Sequence, residues 1–346
     1  MDSDALVDHL FESALGAFDM LTIYIGDQLG LYAALRDHGP LTPDGLAEHA
    51  AVHPRYAREW LEQQTVAGLL DAKDGRFTLS PEHASVLADP ESLTYFAPFM
   101  RVIGAAAVQL PALLDAYRTG GGVGWSAYGA PMRTGQADAN RPLFLRTLGS
   151  EWLPAVPDVH ERLTAGGRVA DVGCGEGWSS IGMALAYPRT RVDGYDVDDA
   201  SVRAATEHAA SYGVAERVRF HLRDAATTEG TGYDLVSAFE CVHDMPHPVG
   251  VLAGMRRMAA PEGCVLVMDE RVPESFTGPG DPVEQLMYGM SMLICLPDSM
   301  STPGSRATGT VMRPGTLRGY AEEAGFTGVE VLPVENDLFR FYRLIA

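Results

Sequence analysis

The 346-residue sequence predicts an α/β fold, in which a doubly wound, mainly parallel sheet follows a mostly helical front half. From Arg168 onward, short apolar runs alternate with segments suited to crossover helices, as is typical of βαβ units. A glycine-rich segment joins the first of those runs to the helix after it. The first 100 residues instead repeat apolar residues at the helical period. A length above the ~100–200 residues of one domain favours two domains.

The front half, residues 1–100, is predicted to be a winged-helix domain. Thr42 is followed by Pro43, the pattern of an N-cap and a first helical residue. Pro54 begins a further helix that runs to about Leu70. The pair Asp74-Gly75 lies between apolar residues and predicts a tight hairpin. Helices followed by a short hairpin are the elements of a winged helix.

The rest of the chain is predicted to form a helical linker and a catalytic domain. The linker covers residues 101–160 and contributes to a substrate pocket; the catalytic domain covers residues 161–346 and has a lid insertion at about 275–312. Its strands are predicted at 168–173, 191–197, 218–224, 233–240 and 264–270, with a closing hairpin at 329–333 and 338–344.

Charge and composition exclude several classes of protein. The chain has 46 acidic and 26 basic residues, a formal charge of -20, so a surface for nucleic acid is not expected. No apolar run approaches the ~20 residues of a membrane span, and the start lacks the basic segment of a signal peptide. The 4 cysteines form no CxxC pair. We therefore expect a cytoplasmic protein with no membrane partner.

The glycine-rich segment reads Asp171-Val172-Gly173-Cys174-Gly175-Glu176-Gly177. Glycines allow a tight turn and a close approach of a ligand to the backbone, although this pattern alone is weak evidence. The dinucleotide fingerprint needs a small residue at position 178, where Trp178 stands, and this disfavours a nicotinamide-dependent oxidoreductase. The acid inside the strand, Asp171, suits a cationic ligand better than a diphosphate.

Two further acids end the next predicted strands. Asp196 ends the second strand, ~20 residues beyond the loop, where a carboxylate accepts hydrogen bonds from ribose hydroxyls. Asp224 ends the third strand, and the carboxyl ends of parallel strands meet at one edge of the sheet. Either acid alone could equally be a helix N-cap. Together with the glycine loop they favour a nucleoside-containing cofactor.

The loop, with Gly194-Tyr195-Asp196, Arg223-Asp224 and Tyr233-Asp234-Leu235-Val236, resembles class I S-adenosylmethionine-dependent methyltransferases. The resemblance implies a Rossmann-like seven-stranded sheet with its last strand antiparallel and S-adenosylmethionine as cofactor. It implies Gly173 and Gly175 near the methionine part of the cofactor, Asp196 on the ribose, and Asp224 with Ala225 near the adenine. The predicted cofactor-binding set is completed by Asp171, Val197, Phe239 and Glu240.

The front half also resembles a known domain. Pro54–Leu61 with Gly68-Leu69-Leu70 is similar to the winged-helix dimerisation domain of small-molecule O-methyltransferases. This resemblance implies a homodimer.

Candidate catalytic residues follow the fourth predicted strand, in Glu240-Cys241-Val242-His243-Asp244. A histidine can act as general base because its usual pKa is ~6.5, and an adjacent acid can fix its tautomer or stabilise the imidazolium. The His-Asp pair is similar to that of plant-type O-methyltransferases, in which a glutamate after the fifth strand orients the histidine. The resemblance implies that role for Glu270. Alternatively, His243 only caps the following helix.

We predict no metal. Similar enzymes that C-methylate α-keto acids hold a metal between the histidine of this dipeptide and a second histidine in a Leu-His-Cys-Leu-Pro segment. Here Ile294 takes the place of that second ligand, and no histidine follows His247. Cys295 could replace that ligand, although a buried structural cysteine is commoner. Met287 and Met290 are predicted on a helix that covers the acceptor, and Tyr24 is the candidate pocket residue of the front half.

These observations predict a methyltransferase for a small aromatic or heteroaromatic natural-product precursor, with His243 as general base. An indole-like ring carbon is slightly favoured over a phenolic oxygen as methyl acceptor. Two alternatives remain: an α-keto acid C-methyltransferase, and a winged-helix DNA-binding regulator with an S-adenosylmethionine-binding domain. Glu59 and Glu62 in the candidate recognition helix disfavour the regulator.

Overall fold

The computed structural model describes residues 1–346 and divides into two compact units. The first unit comprises residues 1–107 and 130–142, and the second comprises residues 108–129 and 143–346. The predicted linker, 101–160, is therefore shared between both units. The helix Trp125–Arg146 passes from one unit to the other at Gly129, whose φ of 76° interrupts the helical geometry.

The first unit is the predicted winged helix. Thr42 Oγ1 accepts a hydrogen bond from the N–H of Gly45 at 3.1 Å and caps its helix as predicted. Asp74 and Gly75 have φ values of 50° and 72°, the left-handed geometry that a two-residue hairpin requires. Its elements are α1 (Ser3–Gln28), α2 (Leu31–His38), α3 (Pro43–His49), α4 (Pro54–Val66), β1 (Asp71–Lys73), β2 (Arg76–Thr78), α5 (Pro81–Leu87) and α6 (Ala97–Val108).

One face of α1 packs on α4, and the other is uncovered. The Trp60 indole N–H donates to the carbonyl of Thr22 at 3.0 Å. A Cβ at Gly26 would lie 2.5 Å from Trp60 Cζ2, so only glycine allows this approach of α1 to α4. The exposed apolar side chains of α1 are Leu6, Val7, Leu10, Phe11, Leu15, Phe18, Leu21 and Ile25.

The second unit contains the sheet and its covering helices. It begins with α7 (Leu110–Thr119), the first part of α8 (Trp125–Arg146), a π-helical turn (Leu148–Trp152) and α9 (Pro157–Ala165). The βα units are β3 (Arg168–Val172), α10 (Trp178–Ala186), β4 (Arg191–Asp196), α11 (Asp199–Ser211), β5 (Val218–Leu222), a 3-10 turn (Ala225–Thr227), β6 (Tyr233–Phe239), α12 (Pro248–Met258) and β7 (Ala259–Glu270). The chain ends with α13 (Pro282–Met290), a second π-helical turn (Ser291–Cys295), α14 (Leu296–Met300), α15 (Pro314–Glu323), β8 (Gly328–Val331) and β9 (Phe339–Ile345).

The seven-stranded sheet has the order β5-β4-β3-β6-β7-β9-β8. Neighbouring strands are parallel except at β9, which is antiparallel to both β7 and β8. The predicted Rossmann-like sheet with an antiparallel last strand is confirmed. The registers Val172↔Tyr195 and Phe239↔Met268 place the carboxyl ends of four central strands at one edge.

Two apolar layers sandwich the sheet. Val236 and Val267 pack towards Leu252 and Met255 of α12, together with Leu317 of α15. The opposite layer is aromatic, because Trp152 contacts Phe144, Phe339 and Phe341 with ring centroids 5.2–6.4 Å apart.

No single helix is long and apolar enough to cross a bilayer. The pair Ala97–Val108 and Leu110–Thr119 meets the requirements of length and composition only when both helices are taken together as one broken segment.

Candidate active site at the carboxyl edge of the sheet

The glycine loop leaves β3 and turns into α10. Gly173 has a φ of 68°, and a Cβ there would lie 2.6 Å from Cys241 Sγ, so both conformation and packing require glycine. Gly175 also has a positive φ, 52°, but a Cβ there would meet nothing within 4 Å. Gly173 therefore holds the loop against the segment after β6, whereas Gly175 leaves room for a ligand beside the backbone.

Asp171 lies beneath this loop and not on its surface. The carboxylate is 1% exposed and accepts hydrogen bonds from the hydroxyls of Ser179, Ser180 and Ser237 at 2.6, 2.7 and 3.0 Å. Burial raises the pKa of Asp171. The structure thus corrects the prediction of direct cofactor contact: this acid ties β3 to α10 and β6 and positions the loop from below.

Asp196 reaches the loop from the end of β4. Its Oδ2 accepts a hydrogen bond from the N–H of Gly175 at 2.8 Å, and its Oδ1 accepts one from the N–H of Asp198 at 2.9 Å. Each carboxylate oxygen keeps a second lone pair, so both can still accept from hydroxyl groups. The neighbouring Val197 is 73% exposed. This arrangement fits the predicted ribose contact.

Asp224, Ala225 and Phe239, which also belong to the predicted cofactor-binding set, differ in their exposure and contacts. Asp224 is exposed, and its Oδ1 accepts the N–H of Ala226 at 2.8 Å, so it caps the 3-10 turn, the alternative role that its position allowed. Ala225 is buried at the start of that turn. The ring of Phe239 packs against Phe144 in the aromatic layer, and a contact of this residue with the cofactor stays a prediction.

His243 is the buried centre of the segment that follows β6. It is 3% exposed, with Nδ1 2.8 Å from Asp269 Oδ1 and Nε2 3.3 Å from Asp244 Oδ1. The alternative role as a helix cap is wrong, because α12 begins later, at Pro248. Asp244 points at the imidazole.

The orienting acid is Asp269, and the assignment of Glu270 to that role is wrong. Successive side chains of a strand point to opposite faces, so only one of these neighbours on β7 can reach the histidine. Asp269 is 1% exposed and lies on the His243 side, while Glu270 points to the other face. The correct residue is one position away in the sequence, and only the register of β6 with β7 distinguishes the two.

The charges around His243 favour its protonated form. Burial lowers the pKa of the imidazole, but Asp244 and Asp269 raise it by more, so it lies well above the usual range. Burial also raises the pKa of Asp244. Together they form an imidazolium held between two acids.

Cys295 completes a cluster with this pair. The Sγ of Cys295, one nitrogen of His243 and one oxygen of Asp244 lie within 4.8 Å of one another, a spacing that a metal ion could bridge. Burial raises the pKa of the thiol to about 12, so it is protonated at neutral pH. Cys295 ends a π-helical turn, a feature frequent at functional sites. The absence of a metal stays a prediction.

Glu240 and Glu270 form a second acidic pair at the ends of β6 and β7. Glu270 is 7% exposed, and its Oε2 has no hydrogen-bond partner. Burial, and then the charge of Glu240, raise the pKa of Glu270 well above its usual range. Glu240 has a φ of 53°, uncommon for a residue with a side chain, and its N–H donates to the carbonyl of Met268 at 2.8 Å.

Two hydrogen bonds join the predicted lid to the first turn of α8. The hydroxyl of Tyr128 donates to the carbonyl of Leu293 at 2.7 Å, and the N–H of Trp125 donates to Asp298 Oδ1 at 2.7 Å. Burial and the charge of Asp244 raise the pKa of Asp298 to about 6, which places that acid near the cluster as well. No spacing rule in the sequence links Asp269 or Asp298 to His243, so neither residue is predicted to contact it.

The predicted pocket residues lie in two places. Met287 is buried on α13 and Met290 is half-buried at its end. Tyr24 belongs to the first unit, where its ring covers Gly104 of α6. A role for these residues in substrate binding stays a prediction.

Family models match both halves of the chain. Residues 163–295 match a methyltransferase domain, and residues 17–89 match an Rv2258c-like winged HTH domain. Over 185 residues the chain is 27% identical to a ubiquinone biosynthesis O-methyltransferase of Psychrobacter arcticus, a stretch that covers 52% of this chain and 67% of that protein. A protein of the same name from Bordetella bronchiseptica is 29% identical over 185 residues, 53% and 71% of the two chains.

Solved structures share the whole fold. The mitomycin 7-O-methyltransferase MmcR superposes with a TM-score of 0.74 and 20% identity, covering 99% of this chain and 98% of that one. Human N-acetylserotonin methyltransferase, solved in complex with SAM, also gives 0.74, with 18% identity over 100% and 98% of the two chains.

The matched domain and the glycine-loop edge define the class of protein: residues 163–295 form a methyltransferase domain, and its cofactor is S-adenosylmethionine. Within that class the chain combines the methyltransferase domain with a winged-helix front domain. The sequence-based prediction of this class, its fold and its cofactor is confirmed.

Proposed function

We propose that the enzyme methylates a hydroxyl oxygen of a small aromatic acceptor, with His243 as general base. The observation that carries this proposal is the 2.8 Å hydrogen bond between His243 Nδ1 and the buried Asp269. The curated relatives are named O-methyltransferases, which moves our preference from an indole-like ring carbon to oxygen. The ring carbon remains the second candidate, because a base at this position serves either acceptor.

The cofactor would be held by the glycine loop and the end of β4. Gly175 offers open space beside its backbone, and Asp196 offers two carboxylate oxygens that can accept hydroxyl donors. When bound, S-adenosylmethionine supplies an electrophilic methyl group on a sulfonium. The protein then has to align the acceptor and remove one proton.

The proton would pass to His243 Nε2. Asp269 accepts the Nδ1 hydrogen and so keeps the second nitrogen available as the base. Asp244, 3.3 Å from Nε2, stabilises the imidazolium that forms. The hydroxyl of the acceptor would lose its proton to the imidazole as its oxygen takes the methyl group.

The test is product analysis with methyl-labelled S-adenosylmethionine and a panel of phenols, indoles and α-keto acids. We expect labelled aryl methyl ethers, identified by mass spectrometry with the methylated atom located by NMR. Labelled C-methyl indoles would favour the second candidate. Binding of S-adenosylhomocysteine without turnover of any hydroxyl or ring-carbon acceptor would contradict the proposal.

We propose that this transfer needs no metal. A sulfonium is electrophilic without a Lewis acid, and the protonated thiol of Cys295 is a poor ligand in that form. Turnover should therefore survive dialysis against EDTA, and metal analysis of the active protein should find less than about one ion per ten chains. Loss of activity on chelation, restored by one metal, would overturn this point.

We also propose a homodimer formed through α1, and no nucleic-acid partner. Phe11 and Phe18 are 64% and 66% exposed on that helix, an apolar face that a second copy would cover. The charge of -20 disfavours DNA. Light scattering should give twice the chain mass, and Phe18→Asp should shift it towards the monomer. Salt-sensitive DNA binding in a gel-shift assay would contradict the second part.

A further inference from the structure

A second cavity lies on the sheet, away from the glycine loop and His243. Helices α10 and α11 cover one face of β4 and β5, where Gly177 lies against the ring of Phe220 and against Ala205 of α11. The connection from β5 to β6 contains only the 3-10 turn Ala225–Thr227, whereas the other βα units have a full helix. On the opposite face, between β4, β5 and the loop before β6, there is a cavity of about 520 Å³. This volume is typical of pockets for small molecules.

The cavity is lined by the side chains of β4 and β5 that point away from α10 and α11. Alternation along β4 puts Asp193 and Tyr195 on this side. His221 of β5 and Arg223, just after that strand, point the same way. The rings of Tyr195 and His221 stack, with centroids 4.9 Å apart and an interplanar angle of 21°. Because the His221 side chain is 40% exposed, the wall of the cavity offers a flat ring to a ligand.

Of the two acids that line the cavity, Asp193 is already paired. Its Oδ1 lies 3.0 Å from His221 Nε2, and its Oδ2 accepts a hydrogen bond from the hydroxyl of Tyr233 at 3.0 Å. The guanidinium of Arg168 lies 4.5 Å from the centre of the Tyr233 ring and 3.8 Å from Asp193 Oδ2. The charge of Asp193 is therefore balanced by groups of the protein itself.

The charge that remains on this face is positive. Alternation places Arg191, Arg219 and Arg223 on it, all three are exposed, and none of them forms a salt bridge. The register also puts Arg191 directly beside Arg168, a pair of like charges. The second lining acid, Glu229, is exposed and is the one negative charge left over. In a chain with a formal charge of -20, unpaired arginines around a cavity favour an anionic ligand.

We propose that this cavity binds a planar aromatic anion, at a site separate from those of the cofactor and the methyl acceptor. The ring of the ligand stacks on His221, and its carboxylate accepts hydrogen bonds from the guanidinium of Arg223. These two residues are two positions apart on one face, about 7 Å, a span that an aromatic ring with an attached carboxylate bridges. Asp196 points to the other side of β4, towards the glycine loop. Binding in the cavity is therefore independent of the identity of the methyl acceptor.

The experiment measures the binding of three matched probes by calorimetry: 2-naphthoate, 2-naphthamide and decahydro-2-naphthoate. The amide lacks the charge, and the saturated acid lacks the flat ring. We expect 2-naphthoate to bind at least about tenfold more tightly than either analogue. Arg223→Gln should abolish the preference for the acid over the amide, and His221→Ala should abolish the preference for the aromatic over the saturated acid. Glu229→Gln removes the remaining acid and should strengthen the binding of 2-naphthoate.

The control variant is Arg203→Gln, which changes an exposed arginine of α11, on the covered face of the same strands. It should leave all three affinities unchanged. Urea denaturation shows whether a variant is folded, and the exposed position of Arg223 makes its substitution compatible with folding. No binding of 2-naphthoate, or equal affinities for 2-naphthoate and either analogue, would overturn the inference. A preference for the acid that survives Arg223→Gln would also overturn it, because the probe would then bind elsewhere, as in the acceptor site.

Discussion

The acidic side chains on the two halves of the carboxyl edge of the sheet differ in their hydrogen bonding. On the β3–β4 side, Asp171 and Asp196 have every carboxylate oxygen hydrogen-bonded, by serine hydroxyls or backbone N–H groups. On the β6–β7 side, Asp269, Asp244 and Glu270 each keep an oxygen without a hydrogen bond. Satisfied acids fix the backbone of the loop that is proposed to receive the cofactor, whereas unsatisfied acids stay available for a proton or a ligand.

The largest effect is expected on the unsatisfied half, at the base. His243→Ala should lower kcat by roughly 10²–10⁴ and leave the affinity for S-adenosylhomocysteine nearly unchanged, because proton removal occurs in the transition state. Steady-state kinetics and calorimetry check both parts. His247→Ala is the matched control, since that imidazole makes no capping hydrogen bond at the start of α12. An equal loss of kcat in both variants would contradict the assignment.

The second prediction separates stability from turnover. Asp171→Asn should lower the free energy of unfolding by about 1–3 kcal/mol, because three buried hydroxyls lose a charged acceptor. Asp269→Asn should lower turnover instead and leave stability unchanged or higher, because it removes one charge from a crowded set of acids. Urea denaturation and initial rates measure the two quantities. Similar unfolding curves for both variants would remove the distinction between the two halves.

A smaller effect is expected at Asp196. Asp196→Ala should weaken cofactor binding by about tenfold to a hundredfold with little change in kcat at saturation, since hydroxyl and loop contacts are lost. Calorimetry with S-adenosylhomocysteine measures the change. Asp199→Ala, an exposed neighbour at the start of α11, serves as control. A fall in kcat without a change in affinity would contradict the assignment of Asp196 to cofactor binding.

The smallest effect is a shift of the pH profile. The proposed general base must be neutral to accept a proton, and the raised pKa of the His243 imidazole keeps it protonated at neutral pH, so the rate should rise with pH through a midpoint above ~6.5. Asp269→Asn removes one of the anions that raise this pKa, so the midpoint should move to lower pH. Measurements of kcat/KM against pH check the direction. A midpoint that moves upward in the variant would contradict the electrostatic account.

Patterns in the sequence predict the fold well, and they also predict most of the β3–β4 half of the carboxyl edge. Local signals such as Thr42-Pro43 and Asp74-Gly75 act within a few residues, and the structure contains the cap and hairpin that they predict. Glycine spacing and the acid after β4 likewise depend on a short loop. The buried position of Asp171 is not predicted, because a strand pattern does not show which serines will surround a carboxylate.

The other half depends on contacts between distant segments. To choose between Asp269 and Glu270, one must know which side chains of β7 point to the same face as the segment after β6. The alternation of side chains along a strand does not determine this, because a shift of one residue exchanges the two faces. Cys295 and Asp298 arrive through a helical insertion whose π-turn has no clear sequence signal. Tertiary register, and not local preference, therefore decides the composition of the catalytic cluster.

The contact between Gly173 and Cys241 has an evolutionary consequence. A Cβ at position 173 would lie 2.6 Å from the sulfur of Cys241, two residues before the base. Position 241 should thus admit only small side chains among homologues, because a bulkier residue would strike the glycine loop. A larger side chain at position 241 would displace both the glycine loop and the segment that carries His243. Positions 173 and 241 should therefore vary together among homologues.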